Sequence, residues 1–230
     1  MGEKPSGSPL EWKITQRSVP FTRFAKDQSI FFGSAALEVG SHIYVYGLDS
    51  RRKAESGERK SAPSLQVSIP GGMGMIVARV SEDKLGDFEA WRFYAGGKWG
   101  TSFEKCQRLC EDIPTEFSVS YVPGIRQYAA VYTEGGIYGV IIVRLAPKPE
   151  GPWGEPIKVF DPIPPGIDTW RDGKRWHEKT YSYAAKAHPE LSRSPNELIV
   201  TYATNSMHFA DLFDDARLYW PRFVKLTFQR

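Results

Sequence analysis

The chain is poor in cysteine, in net charge and in long apolar runs, and each scarcity removes a class of protein. Two cysteines, Cys106 and Cys110, stand four apart in EKCQRLCED within 230 residues. They either close one small loop or remain free thiols, so a framework of several disulfides is excluded. A thiolate metal site needs more ligands than this pair, and no His stands near enough in sequence to complete one. The formal net charge is only +3. Its basic residues are scattered apart from Arg51-Arg52-Lys53 and the stretch near Trp170, which argues for a solvated surface and against a nucleic-acid partner. No run approaches a membrane span, so no membrane partner is expected, and the N-terminus lacks the charged-then-apolar layout of a signal peptide. No glycine cluster follows a strand and opens a helix, and no G-x-S-x-G elbow occurs. Nucleotide binding and serine-nucleophile chemistry therefore find no support.

What is present is turn residues and short apolar stretches. Hydrophobic residues make up 41% of the chain and aromatics 13%, with 17 prolines and 21 glycines. That balance fits one all-β domain or array. Three runs open alike: Gly33 to Leu37 (GSAAL), Glu116 to Val122 (EFSVSYV) and Tyr181 to Leu191 (YSYAAKAHPEL). An aromatic strand follows each, HIYVYG from His42, QYAAVYTEG from Gln127 and NELIVTYATN from Asn196. A third strand then follows, with the cores IVARV, IIVRL and FVKL, which carry Arg79, Arg144 and Lys225 at matched positions. After the first two units comes a Trp-bearing fourth strand, AWRFYAGGKW from Ala90 and GPWGEPIKVF from Gly151.

A repeated unit of four short strands is the sequence mark of a β-propeller blade. The small residues of strand one suit the crowded axis, and Trp suits the widening outer edge. A β-sandwich also alternates and turns often, but it gives no reason for the matched order within each unit. The expected fold is therefore an all-β propeller with about three four-stranded blades, spanning about 29–100, 115–161 and 181–228. Residues 1–28 read as a leader followed by a stray outer or closing strand. Propeller rings hold about four to eight blades. Three blades imply a part of a larger propeller, or self-association if the ring is open.

Strand parity gives the loops a direction. In an antiparallel meander the connections from strand two to three and from strand four to the next blade leave from one end of the sheet. The long inserts, Ser50 to Gly72 and Ser206 to Pro221, and the inter-blade links, Thr101 to Pro114 and Pro162 to Thr180, are all of that kind. They should crowd one face, over the mouth of the axis, where binding and chemistry are commonly placed. Trp170, Arg171, Asp172, Arg175 and Trp176 share one such link, and Tyr219 lies in an insert. Flat aromatic rings stack on sugar rings while Arg and Asp bond hydroxyls, so an oligo- or polysaccharide is the expected partner, with the Trp residues as packing anchors the alternative. Glycoside hydrolysis needs two carboxylates. Glu116, at the loop-rich start of an inner strand, suits the acid, or else serves as an inter-blade hydrogen bonder. Glu190, at the other end of its strand, does not suit the pair. Lys186 and His188 alternate on the third inner strand and point the same way. His188 is either a buried hydrogen-bonded residue or lines the axial channel, where an ion such as calcium is possible.

YSYAAKAHPEL followed by NELIVTYATNS and YWPRFVKL, together with SVSYV before VRL-x-P-x-P-x-GPW, resembles the C-terminal part of five-bladed propellers. These are the furanosidase and arabinanase-type glycoside hydrolases and related bacterial propeller proteins of unknown function. The resemblance runs from about Phe32 to Leu226. It implies a carbohydrate site over the axis, action on furanose or arabinan-type polysaccharide without a cofactor, and an extracellular or periplasmic place. It also implies an Asp base from an early blade. The inner strands here carry no Asp, and Asp27, just before the first of them, is the carboxylate available for that role. Two readings follow, a glycoside hydrolase and a non-catalytic glycan-binding or scaffold propeller.

Overall fold

The computed structural model describes residues 8, 16–25, 28–50, 73–137, 139–162 and 180–229. They form three antiparallel meanders. In blade A, β1 (Arg23–Phe24), β2 (Ser29–Val39), β3 (His42–Asp49), β4 (Gly74–Ser81), β5 (Arg92–Tyr94) and β6 (Trp99–Gly100) pair in chain order. Blade B holds β7 (Phe117–Val122), β8 (Gln127–Thr133), β9 (Ile141–Ala146) and β10 (Ile157–Phe160). Blade C holds β11 (Thr180–His188), β12 (Glu197–Ser206) and β13 (Arg222–Thr227), with a four-residue helix α1 (Asp211–Asp214) between the last two. The first strands of the blades lie side by side, β2 against β7 and β7 against β11. This is an arc of a β-propeller with three blades.

Alternation along each strand builds the seams between blades. Tyr44, Tyr46, Leu48, Met75 and Val77 of blade A meet Phe117, Val119, Ala130, Tyr132 and Ile142 of blade B. The other face of blade B, through Val122, Val131, Ile141 and Val143, meets Ala185, Leu198, Val200 and Tyr202 of blade C. Two backbone amides of β11 cross the second seam: Ala185 N donates to Thr133 Oγ1 at 3.3 Å and Ala187 N to Ser118 Oγ at 2.7 Å. The small residues of the inner strands thus allow backbone to reach side chains of the neighbouring blade.

Two inner strands bulge at corresponding places. Pairing of β2 with β3 shifts between Phe32 and Ala35, and pairing of β11 with β12 shifts between Tyr183 and Lys186. Gly33 has φ of 111° at the first bulge, while Ala184 at the second holds φ of 55°, a region alanine seldom adopts. Gly47 accommodates the first bulge, because a Cβ there would stand 2.8 Å from Phe32 Cα.

The matched third-strand cations differ in face. Arg79 pairs with Tyr44 and points toward blade B, its guanidinium 4.1 Å from the Trp99 ring centroid. Lys225 pairs with Ile199 on the face of blade C turned away from blade B. Arg144 pairs with Ala130 and points back toward blade A, buried, donating to Tyr132 Oη at 2.9 Å, to the Gly154 carbonyl at 2.9 Å and to the Glu111 carbonyl at 3.2 Å. A register offset of one residue turns a side chain to the opposite face, and Arg144 shows that outcome.

The two cysteines form no disulfide. Cys106 packs under the outer face of blade A, whereas Cys110 pairs with Met75 and borders the A–B seam, so the two thiols serve different cores. Burial pushes the Cys110 thiol up to about 12, well out of the reactive range.

Candidate functional site at the loop-rich end

The second strands end and the third strands begin at one end of the arc, where the inter-blade links also arrive. Three buried polar residues, Asp49, Thr133 and Ser206, close the second strands of blades A, B and C there. Asp49 is 0% exposed, accepts from Gln28 Nε2 at 3.5 Å and lies 3.6 Å from Arg108 Nε. Arg108 in turn donates to Glu111 Oε2 at 2.6 Å, which ties the A–B link to the mouth of blade A. Gly74 makes this possible, since any side chain there would collide with the Arg108 stem.

The insert of blade C is braced from within. Ser206 Oγ donates to Asp211 Oδ2 at 2.5 Å, His208 Nδ1 lies 2.9 Å from Asp211 Oδ1, and the His208 amide donates to Ser206 Oγ at 3.1 Å. The serine hydroxyl bonds the carboxylate and not the imidazole, so this trio is a brace rather than a nucleophile activated by a base. Asp215 accepts from the Arg217 amide at 3.0 Å and holds its guanidinium through Nε at 3.0 Å and Nη2 at 2.8 Å. Thr204 Oγ1 donates to the Leu218 carbonyl, pinning the segment to β12. This bracing holds Tyr219 and Trp220 in solvent.

Tyr219 stands beside the inner strand of blade C, where Tyr183 Oη donates to Tyr219 Oη at 3.4 Å and the Tyr181 ring lies 5.5 Å from that of Tyr183. Burial, then the bond to Tyr219, pushes the Tyr183 phenol up to about 12, so it stays a neutral donor. Glu116 is exposed immediately before β7 at the same end. Glu116 and Tyr219 therefore lie at the same end of the arc, in different blades. Lys186 and His188 lie further along β11, in rows with Thr201 and Ile199 on the same open face of blade C as Tyr183. His188 Nε2 meets Thr201 Oγ1 at 2.9 Å and Nδ1 meets Glu190 at 2.8 Å, at the far end of β11 from Tyr183. The Glu190 carboxyl is held below its ordinary value by its own backbone amide and then by His188. Asp27, Trp170, Arg171, Asp172, Arg175 and Trp176 lie outside the described residues. Among the described residues no three His, Cys, Asp or Glu side chains gather to hold a metal ion.

A family model described as a domain of unknown function, DUF5005, matches residues 15–228. The chain belongs to the DUF5005 family. No curated protein matches it. Among solved structures this DUF5005 chain is similar to a "putative hydrolase" from Bacteroides ovatus, with 22% identity and a TM-score of 0.59 over 97% of the chain. It spans 50% of that structure's length. It is also similar to an alpha-L-arabinofuranosidase from Clostridium thermocellum, at 10% identity and a TM-score of 0.38, covering 85% of this chain and 56% of that one.

Sequence reading passed over Asp49, the Ser206–His208–Asp211 brace and the Asp215–Arg217 fork. The spacing S-x-H-x-x-D was visible from Ser206 to Asp211, but its meaning as a brace depends on the turn before α1. Asp49 carried a signal too, as an acidic residue ending an apolar strand just before a long insert.

Proposed function

We propose that this DUF5005 chain is a carbohydrate-active propeller unit of glycoside-hydrolase type, acting on furanose or arabinan-type polysaccharide at its loop-rich end. The observation that carries this reading is the placement, at one end of the arc, of the exposed carboxylate Glu116, the Tyr183–Tyr219 pair and solvent-facing Trp220. Glu116 is the acid that protonates the leaving oxygen, and Asp27 the second carboxylate that hydrolysis requires. Tyr183 is a hydrogen-bond donor at all physiological pH values, and the rings of Tyr219 and Trp220 offer faces for stacking. Trp170, Arg171, Asp172, Arg175 and Trp176 supply a further wall from the B–C link. The hydrolase name carried by the Bacteroides ovatus structure agrees with this reading, and its greater length agrees with a five-bladed ring of which these blades are three.

A second reading is a propeller unit that binds glycan without cutting it. One observation favours it: among the described residues, Glu116 is the single carboxylate at the loop-rich start of an inner strand. Release of reducing ends from arabinan and galactan separates the two. The hydrolase reading expects release by the wild type and its loss in Glu116→Gln with an unchanged melting temperature. Release that survives Glu116→Gln removes Glu116 as the acid. Binding without release in the wild type leaves the glycan-binding reading.

A further inference from the structure

The three matched third-strand cations meet different partners. Arg144 donates three hydrogen bonds and Lys225 pairs with Glu197. Arg79 has neither a hydrogen bond nor an ion pair among the described residues, and what holds it is the face of the Trp99 ring. Tyr44 and Tyr94 close edge-on around that ring, at 5.7 and 5.2 Å between centroids. The half-buried guanidinium is thus fixed in place with its donors unused.

Arg79 lines a cavity of about 390 Å³ at the tight-turn end of blade A, opposite the loop-rich end. That volume falls within the range of roughly 300–1,000 Å³ typical of small-molecule sites. The sheet supplies His42, Arg79 and Arg92 to its wall, and the connection between β4 and β5 supplies Lys84, Asp87 and Glu89. Arg79 and Arg92 stand directly opposite each other on β4 and β5. Like charges so placed destabilise a sheet, and neither arginine is in an ion pair among the described residues. Arg92 Nη1 donates to the Glu89 and Trp91 carbonyls, both at 2.8 Å, which leaves its Nε and Nη2 without a partner among the described residues. Both guanidiniums are half-buried and line the cavity, so a ligand within it touches them.

Two neighbouring guanidiniums match an oxyanion, and a carboxylate fits their forked donors. The rest of the wall narrows the choice. Asp87 is fixed by accepting the Glu89 amide at 3.1 Å, and the exposed Glu89 carboxylate has no partner among the described residues. These two carboxylates accept hydrogen bonds and oppose a second negative charge. Apart from His42, three cations, Arg79, Lys84 and Arg92, stand against them, so the wall suits a ligand with one negative charge. A phosphate or sulfate dianion sets its second charge against Asp87 and Glu89. A neutral sugar leaves the arginine pair unrelieved. A sugar with a single carboxylate meets both demands, its charge on Arg79 and Arg92 and its hydroxyls on Asp87 and Glu89. We propose that this cavity binds one uronic acid unit of an acidic saccharide, independently of the loop-rich end.

The test is an NMR titration of ¹⁵N-labelled protein with galacturonate oligosaccharides at fixed ionic strength, reading the Trp99 indole resonance, assigned through Trp99→Phe. The expected result is a saturable shift of that resonance, and none with neutral galacto-oligosaccharides of the same length and concentration. Arg79→Gln removes no hydrogen bond within the described residues, so it should keep the melting temperature while weakening the Kd about tenfold or more. Should Arg79→Gln lower the melting temperature, Lys84→Gln at the exposed rim replaces it, with a Kd weakened about two- to fivefold. An indole resonance that galacturonate leaves in place, an equal response to the neutral saccharide, or a Kd unchanged in these variants overturns the proposal. Phosphate that saturates the cavity as tightly as galacturonate overturns it too. Trp99 reports this cavity while Tyr183 and Tyr219 report the loop-rich end, so either site can fail while the other stands.

Discussion

Among the described residues, the outer faces of blades A and C differ. The outer face of blade A is covered by its own chain: Phe21 packs 4.8 Å from Phe93 and 5.3 Å from Trp91, with Phe88 and Phe103 around them, and Arg17 lies over the Phe88 ring. The outer face of blade C carries rows of mixed polarity, His188–Ile199–Lys225 and Lys186–Thr201–Phe223, with Phe223 64% exposed. Coverage therefore follows side-chain chemistry. Aromatic density calls in a covering segment, while Lys, His and Thr leave a face that water tolerates.

The largest expected effect is Phe93→Ala, which empties a site 1% exposed and should cost about 3–5 kcal/mol in urea unfolding. Its counterpart Phe223→Ala should stay within about 0.5 kcal/mol. Equal losses would mean that blade C is as well covered as blade A. Next come the cations. Arg144→Met forfeits three hydrogen bonds inside the A–B seam and should cost about 3 kcal/mol. Lys225→Met breaks only a surface pair with Glu197 and should change stability by less than about 1 kcal/mol. The bulges give a smaller contrast. Gly33→Ala forces a Cβ into a left-handed region and should cost about 1 kcal/mol, whereas Ala184→Gly relieves the same strain and should raise the melting temperature slightly.

The smallest effect concerns pH. A free tyrosine titrates near 10. Because the Tyr183 phenol is raised to about 12 in the fold, its contribution to stability is complete below pH 10 and is lost as pH rises through 12. Tyr219→Phe should lower that midpoint in an absorbance titration. An unmoved midpoint would mean that burial alone sets it.

Strand order and blade number were legible because strand one, strand two and strand three each kept a distinct composition through three repeats. The direction of the long loops followed from parity alone. What stayed hidden depended on register. Arg79, Arg144 and Lys225 look equivalent along the chain, yet Arg144 faces backward into a seam, because face is set by pairing and not by position within a motif. His188 illustrates a second limit. Its alternation with Lys186 was readable, but the partners Thr201 and Glu190, which make it a surface bridge, come from a neighbouring strand and a following turn. At the site, Glu116 and Tyr219 were visible as residue types at loop-rich positions. The brace that holds Tyr219 outward was not, because it rests on a four-residue helix with no periodic pattern to announce it.

The most direct test of the carbohydrate reading is a map of amide shifts on titration with arabino-oligosaccharides. The prediction is that the loop-rich end responds, at Glu116, Tyr183 and residues 205–220, while the outer face of blade C around Lys225 stays still. Shifts confined to that outer face, or no shift at the loop-rich end with any chain length, would contradict it.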